Sequence, residues 1–235
     1  VGFWSGQTLK HRAETEKLID PFDEKRIDCS AYTLRVGYEA FVTRDRTDQV
    51  AAHSRGQTPG HLLASREETF SIPSGQFAFL IAYEKVRIPN DAIGFISLKS
   101  ARKWRGLVNV SGFHVDPGWS GKLLFSVFNA GPNTLVIHPE EPLFLLFFCS
   151  LDSVAAPEFH YKGESKFARI PTTFMEAMSA PVPTVYKLNE AVNVLQESVR
   201  SSETRSTVAL YAAFTLGGTA LAASLTLLAR MFGLI

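Results

Sequence analysis

TLRVGYEAFV, residues 33–42, is dense in β-branched, aromatic and aliphatic side chains and opens a series of similar runs. QFAFLIAY (76–83), IGFISL (93–98), LVNVSGF (107–113), KLLFSVF (122–128), TLVIH (134–138) and LFLLFFCSL (143–151) follow, separated by Pro, Gly, Asn and Asp. Short runs of this composition between turn residues are the signature of strands. Their spacing predicts a mainly β domain, an antiparallel barrel or sandwich. Ahead of them a helix is expected over 7–19, with Leu9, Ala13 and Leu18 facing inward, ending before Pro21 because the residue preceding proline avoids the helical region. Residues 44–65, containing RDRTDQ and SRGQTPG, lack periodicity and read as a long loop or excursion. After Asp152 the strand signals stop, and a polar tail, EFHYKGESKFARIP, leads to a Pro-rich link, APVP, at 180–183.

The other decisive stretch is STVALYAAFTLGGTALAASLTLLA, residues 206–229, which carries no charge. As a helix it reaches roughly 36 Å, against a hydrocarbon core of about 30 Å, so it is expected to span a membrane with some tilt. A buried core helix is the alternative, but core helices rarely run so long without charge. Its position excludes a signal peptide. Lys187, Arg200 and Arg205 precede the span and only Arg230 follows, which favours a cytoplasmic globule, expected at a bacterial inner membrane. Before the span, Val185, Leu188, Val192, Leu195, Val199 and Ser202 alternate at three and four residues, about two and a half heptads of a coiled-coil seam. An amphipathic helix docked on its own barrel is the competing reading. Ala213, Gly217, Gly218 and Ala222 supply small-xxx-small spacings suited to close helix contact. The expected organisation is a barrel domain at 1–179, a linker at 180–184, a coiled-coil helix at 185–205, a transmembrane helix at 206–229 and a tail at 230–235.

A formal net charge of +1 over 235 residues gives no electrostatic case for polynucleotide binding. Cys29 and Cys149 are too few for a disulfide framework or zinc site and read as buried thiols in a reducing compartment. Walker A, GxGxxG, HExxH, paired CxxC and GxSxG signatures are missing. The six histidines are scattered, and His53 with His61 in a loop is only a faint metal hint.

KSARKWRGLVNVSGFHVDPGWSG, residues 99–121, concentrates the chemistry. Lys99, Arg102, Lys103 and Arg105 beside Ser100 can hold phosphates by charge-assisted bonds. Gly112 allows backbone approach to a base edge, Asp116, expected to be buried, can accept from a sugar hydroxyl, and Trp119 can stack on sugar or base. Those are the parts of a nucleoside triphosphate pocket. Each also has a plainer reading: a solvated basic face, an Asp-Pro-Gly turn and a packed tryptophan.

HVDPGWSG, with LKSAR upstream and FNAGP downstream, resembles the dCTP deaminase and dUTPase superfamily, on the deaminase side. LIDPFDEKRIDCSAYTLRVG, YEKVRIP and EEPLFLLFF extend the resemblance to roughly residues 3–170. It implies a distorted jelly-roll β-barrel of the dUTPase type. It also implies a homotrimer with sites at subunit interfaces, each taking a deoxynucleoside triphosphate, dCTP or dUTP, with magnesium on its phosphates. Carried over by motif, Lys99 and Ser100 match the Arg-Ser pair near the phosphates, and Arg102 or Lys103 falls near a second arginine. Val110, Ser111 and Gly112 match the stretch that reads the base, Asp116 the sugar-binding aspartate and Trp119 the aromatic beside it. Tyr161 and Lys166 match the tail that closes over the phosphates.

The departures bear on activity. The glutamate that shuttles protons in the deaminases is Ser126 here, a hydroxyl that is no base near neutral pH without an activating partner. The Asp of the family's Tyr-Asp-Leu element is Thr33, the late-strand glutamine is Leu146, and the glycine-rich tail of dUTPases is absent. Losing an acid/base forfeits about a hundred- to ten-thousand-fold in rate. The sequence therefore points to a catalytically impaired relative that binds nucleotide and signals to its membrane helices. The alternatives are an active tethered dCTP deaminase or dUTP diphosphatase that recruits another acid such as Glu84, and a barrel retained only for oligomerisation. Valine and leucine in the seam favour two strands, whereas the barrel resemblance implies three.

Overall fold

The computed structural model describes residues 2–43, 61–162, 167–180 and 185–232. Two units emerge, Val1–Thr184 and Val185–Ile235. In the first, α1 (Gly6–Thr15) precedes β1 (Ile19–Asp20), β2 (Ile27–Asp28), the long β3 (Ala31–Val42), β4 (His61–Leu63), β5 (Phe70–Ile72), β6 (Phe77–Arg87) and β7 (Ala92–Leu98). A single-turn helix α2 (Ser100–Lys103) leads to β8 (Leu107–Asn109), β9 (His114–Val115), β10 (Ser120–Asn129), β11 (Leu135–Ile137), β12 (Pro142–Ser150) and α3 (Thr172–Ala177). The second unit is α4 (Val185–Met231).

One sheet runs in the order β8-β10-β6-β3-β12-β7-β9, with β1 added to β6 and β2 and β4 added to β3, while β5 and β11 pair separately. Its curl originates in β3, whose two halves serve different neighbours. Thr33 and Arg35 lie opposite Leu145 and Pro142 of β12, whereas Val36 and Phe41 lie opposite Ala82 and Phe79 of β6. Register shifts fall at that exchange, between Val36 and Ala40 on β3. Gly37 sits inside it, where an added Cβ would lie 3.0 Å from the Ile81 carbonyl oxygen, so a side chain would push the strands apart. The fully buried Glu84 holds the corner together. One oxygen accepts the Arg35 backbone N–H at 2.9 Å and the other accepts Arg35 Nε at 2.6 Å. Arg35 also reaches Glu140 at 3.1 Å and lies 4.1 Å over the Tyr83 ring. Glu84 is thus committed to scaffold, which removes the acid considered above as a replacement base.

Inside the curl, Tyr32, Leu34, Phe70, Leu80, Phe144 and Phe148 are buried, with Phe125 stacked on Phe144. Several expectations are corrected here. The first helix stops at Thr15, not residue 19. Lys17 takes a φ of 50°, and Ile19 leaves to pair with Val86 of β6. Leu9 and Ala13 do face inward. The thiols are not buried: Cys29 is exposed, Cys149 is half-buried and both are free. Residues 61–63, expected in the loop, form a strand on β3, and residues 44–60 of that loop, His53 included, lie outside the described residues. Only 107–109 of the 107–113 run is strand. After Asp152 order continues, with a 3-10 turn at Pro157–Phe159, an isolated bridge between Phe167 and Lys122, and α3.

α4 is one uninterrupted helix of 47 residues, about 70 Å long. It runs without a break through residues 205 and 206, so the expected coil and span would be parts of one helix. Its apolar part reaches a mean hydropathy of 1.6, long and apolar enough by composition to cross a membrane. Thr215, Thr219 and Thr226 hydroxyls donate back to the carbonyls of Tyr211, Thr215 and Ala222, so these polar groups need no outside partner. Along the polar half, Leu188, Val192, Leu195 and Val199 are exposed.

Glu84→Ala strands the Arg35 guanidinium and backbone N–H at the corner, and is expected to lower the unfolding free energy by about 3 kcal/mol in denaturant titration of the full chain in detergent. The Tyr38 hydrogen bond holds the Glu140 carboxyl below the ordinary glutamate range, with burial opposing and Arg66, Arg35 and Arg26 assisting. A depressed folded value means this stability is present above the unfolded value of about 4.3 and disappears as pH falls through the folded one. Glu140→Gln is therefore expected to flatten the acid limb of the stability profile, leaving the shape near neutral pH unchanged.

Candidate functional site

β7 delivers the basic loop. Lys99 caps α2 in extended conformation, its backbone N–H bonded to the Leu143 carbonyl of β12 at 3.0 Å. The helix then turns back through Gly106, whose φ of 93° suits glycine and whose missing Cβ would meet Gly131 N at 2.3 Å. Loop and β10–β11 turn therefore close on each other backbone to backbone.

The cations in this loop have different commitments. Arg102 is tied inward to Glu141, through Nε at 2.7 Å and through Nη2, and donates to the Val136 carbonyl at 3.2 Å. Lys103 Nζ reaches Ser97 Oγ at 2.8 Å, and Lys99 Nζ lies 3.4 Å from Asp28. Ser100 is exposed at the helix start. Arg102 is thus a clamp between the loop and the start of β12, leaving Lys99, Ser100, Lys103 and the exposed Arg105 on the outer side of the loop. An open cleft of about 780 Å³ lies alongside, lined by Arg102, Lys103, Trp104, Arg105, Asn133 and His138 among others. Trp104 is 86% exposed beside this cleft and is not among the residues the sequence singles out. Its only signal was an aromatic inside a basic run.

The second group is gathered on β10. Val110 and Ser111 both direct their N–H groups at the Ser126 carbonyl, at 2.8 and 3.2 Å. Ser111 Oγ donates to Asn109 Oδ1 at 2.6 Å, and Gly112 stands in open space. Asp116, expected to be buried, is half-exposed, with its side chain 48% accessible and 3.4 Å from His114 Nε2. Trp119 is buried, edge-on to Tyr161 at 4.7 Å and 6.0 Å from Phe167. Its indole Nε1 has no acceptor among the described residues. Tyr161 is held by its own N–H to the Pro117 carbonyl at 2.8 Å. Lys166 lies outside the described residues.

Neither described cleft beside these groups joins the two halves. The cleft at the basic loop takes in 102–106, whereas one of about 380 Å³ beside the DPG turn takes in Gly118 and Ser120 with Arg12, Arg87 and Asp91. Ser126 points to the outer face of β10 with Leu124 and Phe128, opposite Phe79 of β6. None of those neighbours is an acid. Thr33 and Leu146 are buried in the sheet. Among the described residues no group of three or more His, Cys, Asp or Glu could hold a metal ion, and His61 is instead paired with Glu39 at 2.7 Å.

A curled antiparallel sheet with a basic turn after one strand and an Asp-Pro-Gly-Trp turn before another defines a dUTPase-like fold. Residues 3–151 match the family model for dCTP deaminase-like proteins. The chain is 32% identical over 143 residues to the dCTP deaminase of Thermococcus sibiricus, covering 60% of this chain and 81% of that one. Against the dCTP deaminase of Pyrococcus furiosus identity is 27% over 155 residues, covering 65% and 89%. Among solved structures, the 2'-deoxycytidine 5'-triphosphate deaminase from Agrobacterium tumefaciens superposes with a TM-score of 0.51 at 13% identity. That likeness of fold covers 64% of this chain and about half, 48%, of the Agrobacterium chain. The chain belongs to the dCTP deaminase-like family. α4 lies outside the family match.

Gly106→Ala adds both a strained φ and a clash with the Gly131 backbone. A loss of roughly 2 kcal/mol in unfolding free energy is expected, with Gly131→Ala similar because its Cβ would meet the Arg105 carbonyl oxygen at 2.2 Å.

Proposed function

We propose that this protein is a membrane-anchored relative of the dCTP deaminases that binds a deoxynucleoside triphosphate without turning it over efficiently, and uses occupancy as a signal to its membrane helix. Ser126 supports the impaired chemistry most directly. At the position of the family's proton-shuttling glutamate stands a hydroxyl whose same-face neighbours, Leu124, Phe128 and Phe79, offer no base to activate it.

Binding is the part of the family's site that survives. Lys99, Ser100 and Lys103 face outward for phosphates, with Arg102 positioning their loop. Gly112 presents open backbone for a base, beside Val110 and Ser111 whose N–H groups are held by the Ser126 carbonyl, and the half-exposed Asp116, next to the packed Trp119, stands ready for the sugar. Magnesium would arrive on the phosphates, since the described residues contain no cluster to hold it. The separation of the two halves between clefts favours sites completed by a neighbouring subunit, as in a homotrimer. Exposed Val108, Val110 and Phe113 offer apolar surface for that contact. Residues 185–205 would then associate as a coil and 206–229 would cross the bilayer, with the globule on the cytoplasmic side. Coupling requires only that nucleotide prefer one arrangement of subunits over another.

One observation favours an active enzyme instead. His114 and Asp116 form a half-exposed pair at 3.4 Å beside the sugar position, the kind of arrangement that can pass a proton. Incubating the detergent-purified chain with magnesium and each deoxynucleoside triphosphate, then identifying products by mass spectrometry, separates the readings. Intact nucleotide retained on the protein and lost by at least tenfold in affinity in Asp116→Ala/Ser100→Ala is the expected result. Conversion of dCTP or dUTP, abolished in His114→Ala, makes it a tethered enzyme. Affinity equal to that of the double variant overturns binding altogether.

A further inference from the structure

Beyond the nucleotide site, the last described segment of the first unit is attached to the sheet in an unusual way. From Phe167 to Met178 the chain crosses the outer face of β3, β6 and β10. Ile170 and Met175 are each 3% exposed among Phe41, Phe79 and Ile81, with Phe77, Leu124 and Phe167 around them. Phe174 lies 6.0 Å from Phe79 and 6.3 Å from Phe167. Among the described residues its polar attachment to the sheet consists of a bridge, Phe167 with Lys122, and a long-range hydrogen bond, Ile170 N–H to Glu39 Oε2 at 3.2 Å. The rest of its backbone bonding is local, within Pro171–Ser179.

Glu39 is the telling residue. It projects from β3, is nearly buried, and its other oxygen is held by His61 Nε2 of β4 at 2.7 Å. An apolar side chain would serve a permanent contact at this place with no desolvation cost. A buried carboxylate instead makes the contact conditional, because lifting the segment removes an N–H that the carboxylate needs. The same segment begins with Phe167, which packs against Trp119, and Trp119 in turn meets Tyr161, whose N–H is bound to Pro117 of the DPG turn. It ends at the residues that lead in sequence to α4.

We propose that residues 167–178 form a strap latched to the sheet by the Glu39 carboxylate, so that the aromatic cover over Trp119 and the chain leading to α4 are seated or released together. Among the described residues the segment has few non-local hydrogen bonds, so it can lift without breaking the sheet ladders, at the cost of exposing Ile170 and Met175 and unpairing one Glu39 oxygen. The strap stands on its own geometry and does not depend on whether nucleotide binds.

Amide-resolved hydrogen exchange on the full chain in detergent tests it. Glu39→Ala and, independently, Met175→Ala are expected to speed exchange by about tenfold or more at Ile170, at Met175 and Met178, and also at the remote Tyr161 amide, with Leu80 and Phe144 amides unchanged. If Glu39→Ala also releases Leu80 and Phe144, the strap-only variant Met175→Ala decides. Loosened strap amides with an unmoved Tyr161 amide would show the two ends to be uncoupled and overturn the proposal. So would strap amides that already exchange freely in the parent protein, or sheet amides that open together with the strap in Met175→Ala.

Discussion

The buried contact between Glu84 and Arg35 is the constraint on which the sheet depends. β3 lies between β12 and β6, pairing with β12 along its first half and with β6 from Val36 onward, and the register shift at that handover leaves backbone groups without a ladder. Glu84 supplies the missing acceptor to the Arg35 N–H while its charge is balanced by the Arg35 side chain. Such a pair adds little net stability compared with a well-packed apolar substitute, but it defines where the bend occurs. Tyr38 and Glu140 close the arrangement from the β11–β12 turn, and Val36 exchanges backbone hydrogen bonds with Glu140 and Glu141.

The candidate site inherits its geometry from that corner. Glu141, anchored through its carbonyl to Val36, is the residue that holds Arg102, and Arg102 holds the basic loop against β11. Lys99 is fixed from the same side by the Leu143 carbonyl. On the other flank, β6 carries Phe79 opposite Ser126 and, at its end, Ile88, whose N–H and carbonyl bind Trp119 and Gly118 of the DPG turn. Both halves of the site are thus read off two strands that meet at one bend. A change at the corner would shift them relative to each other without touching either.

How far the sequence revealed this depends on the kind of interaction involved. Strands were legible because composition and turn residues are local properties, and β3, β6, β7, β10 and β12 fall where the runs predict them. The 110–113 stretch misled because Val110 and Phe113 are apolar yet exposed. Their hydrophobicity marks a surface, and the backbone there bonds to Ser126 rather than continuing a ladder. Arg102 read as a phosphate ligand because its partner, Glu141, lies far along the chain, and no local pattern announces a distant ion pair. Asp116 looked buried within an apolar neighbourhood, but the turn that follows it carries the side chain outward. α3 and the Glu39 contact were invisible for the same reason as Arg102, since a polar tail gives no hint of the sheet face on which its few apolar residues settle.

The partner exchange in β3 also has a kinetic side. Its first half pairs with β12, joining Thr33 to Leu145 and Ala31 to Phe147, residues on the order of a hundred positions apart. Trp4 likewise hydrogen bonds to Phe148. Long loops must close before these contacts return anything, so the sheet is a slow, high-contact-order assembly whose first strands wait for its last. Until β12 arrives, the β12 edge of β3 is an open, aliphatic and aromatic template for other strands. Association among nascent copies through that edge is therefore the characteristic hazard of this topology.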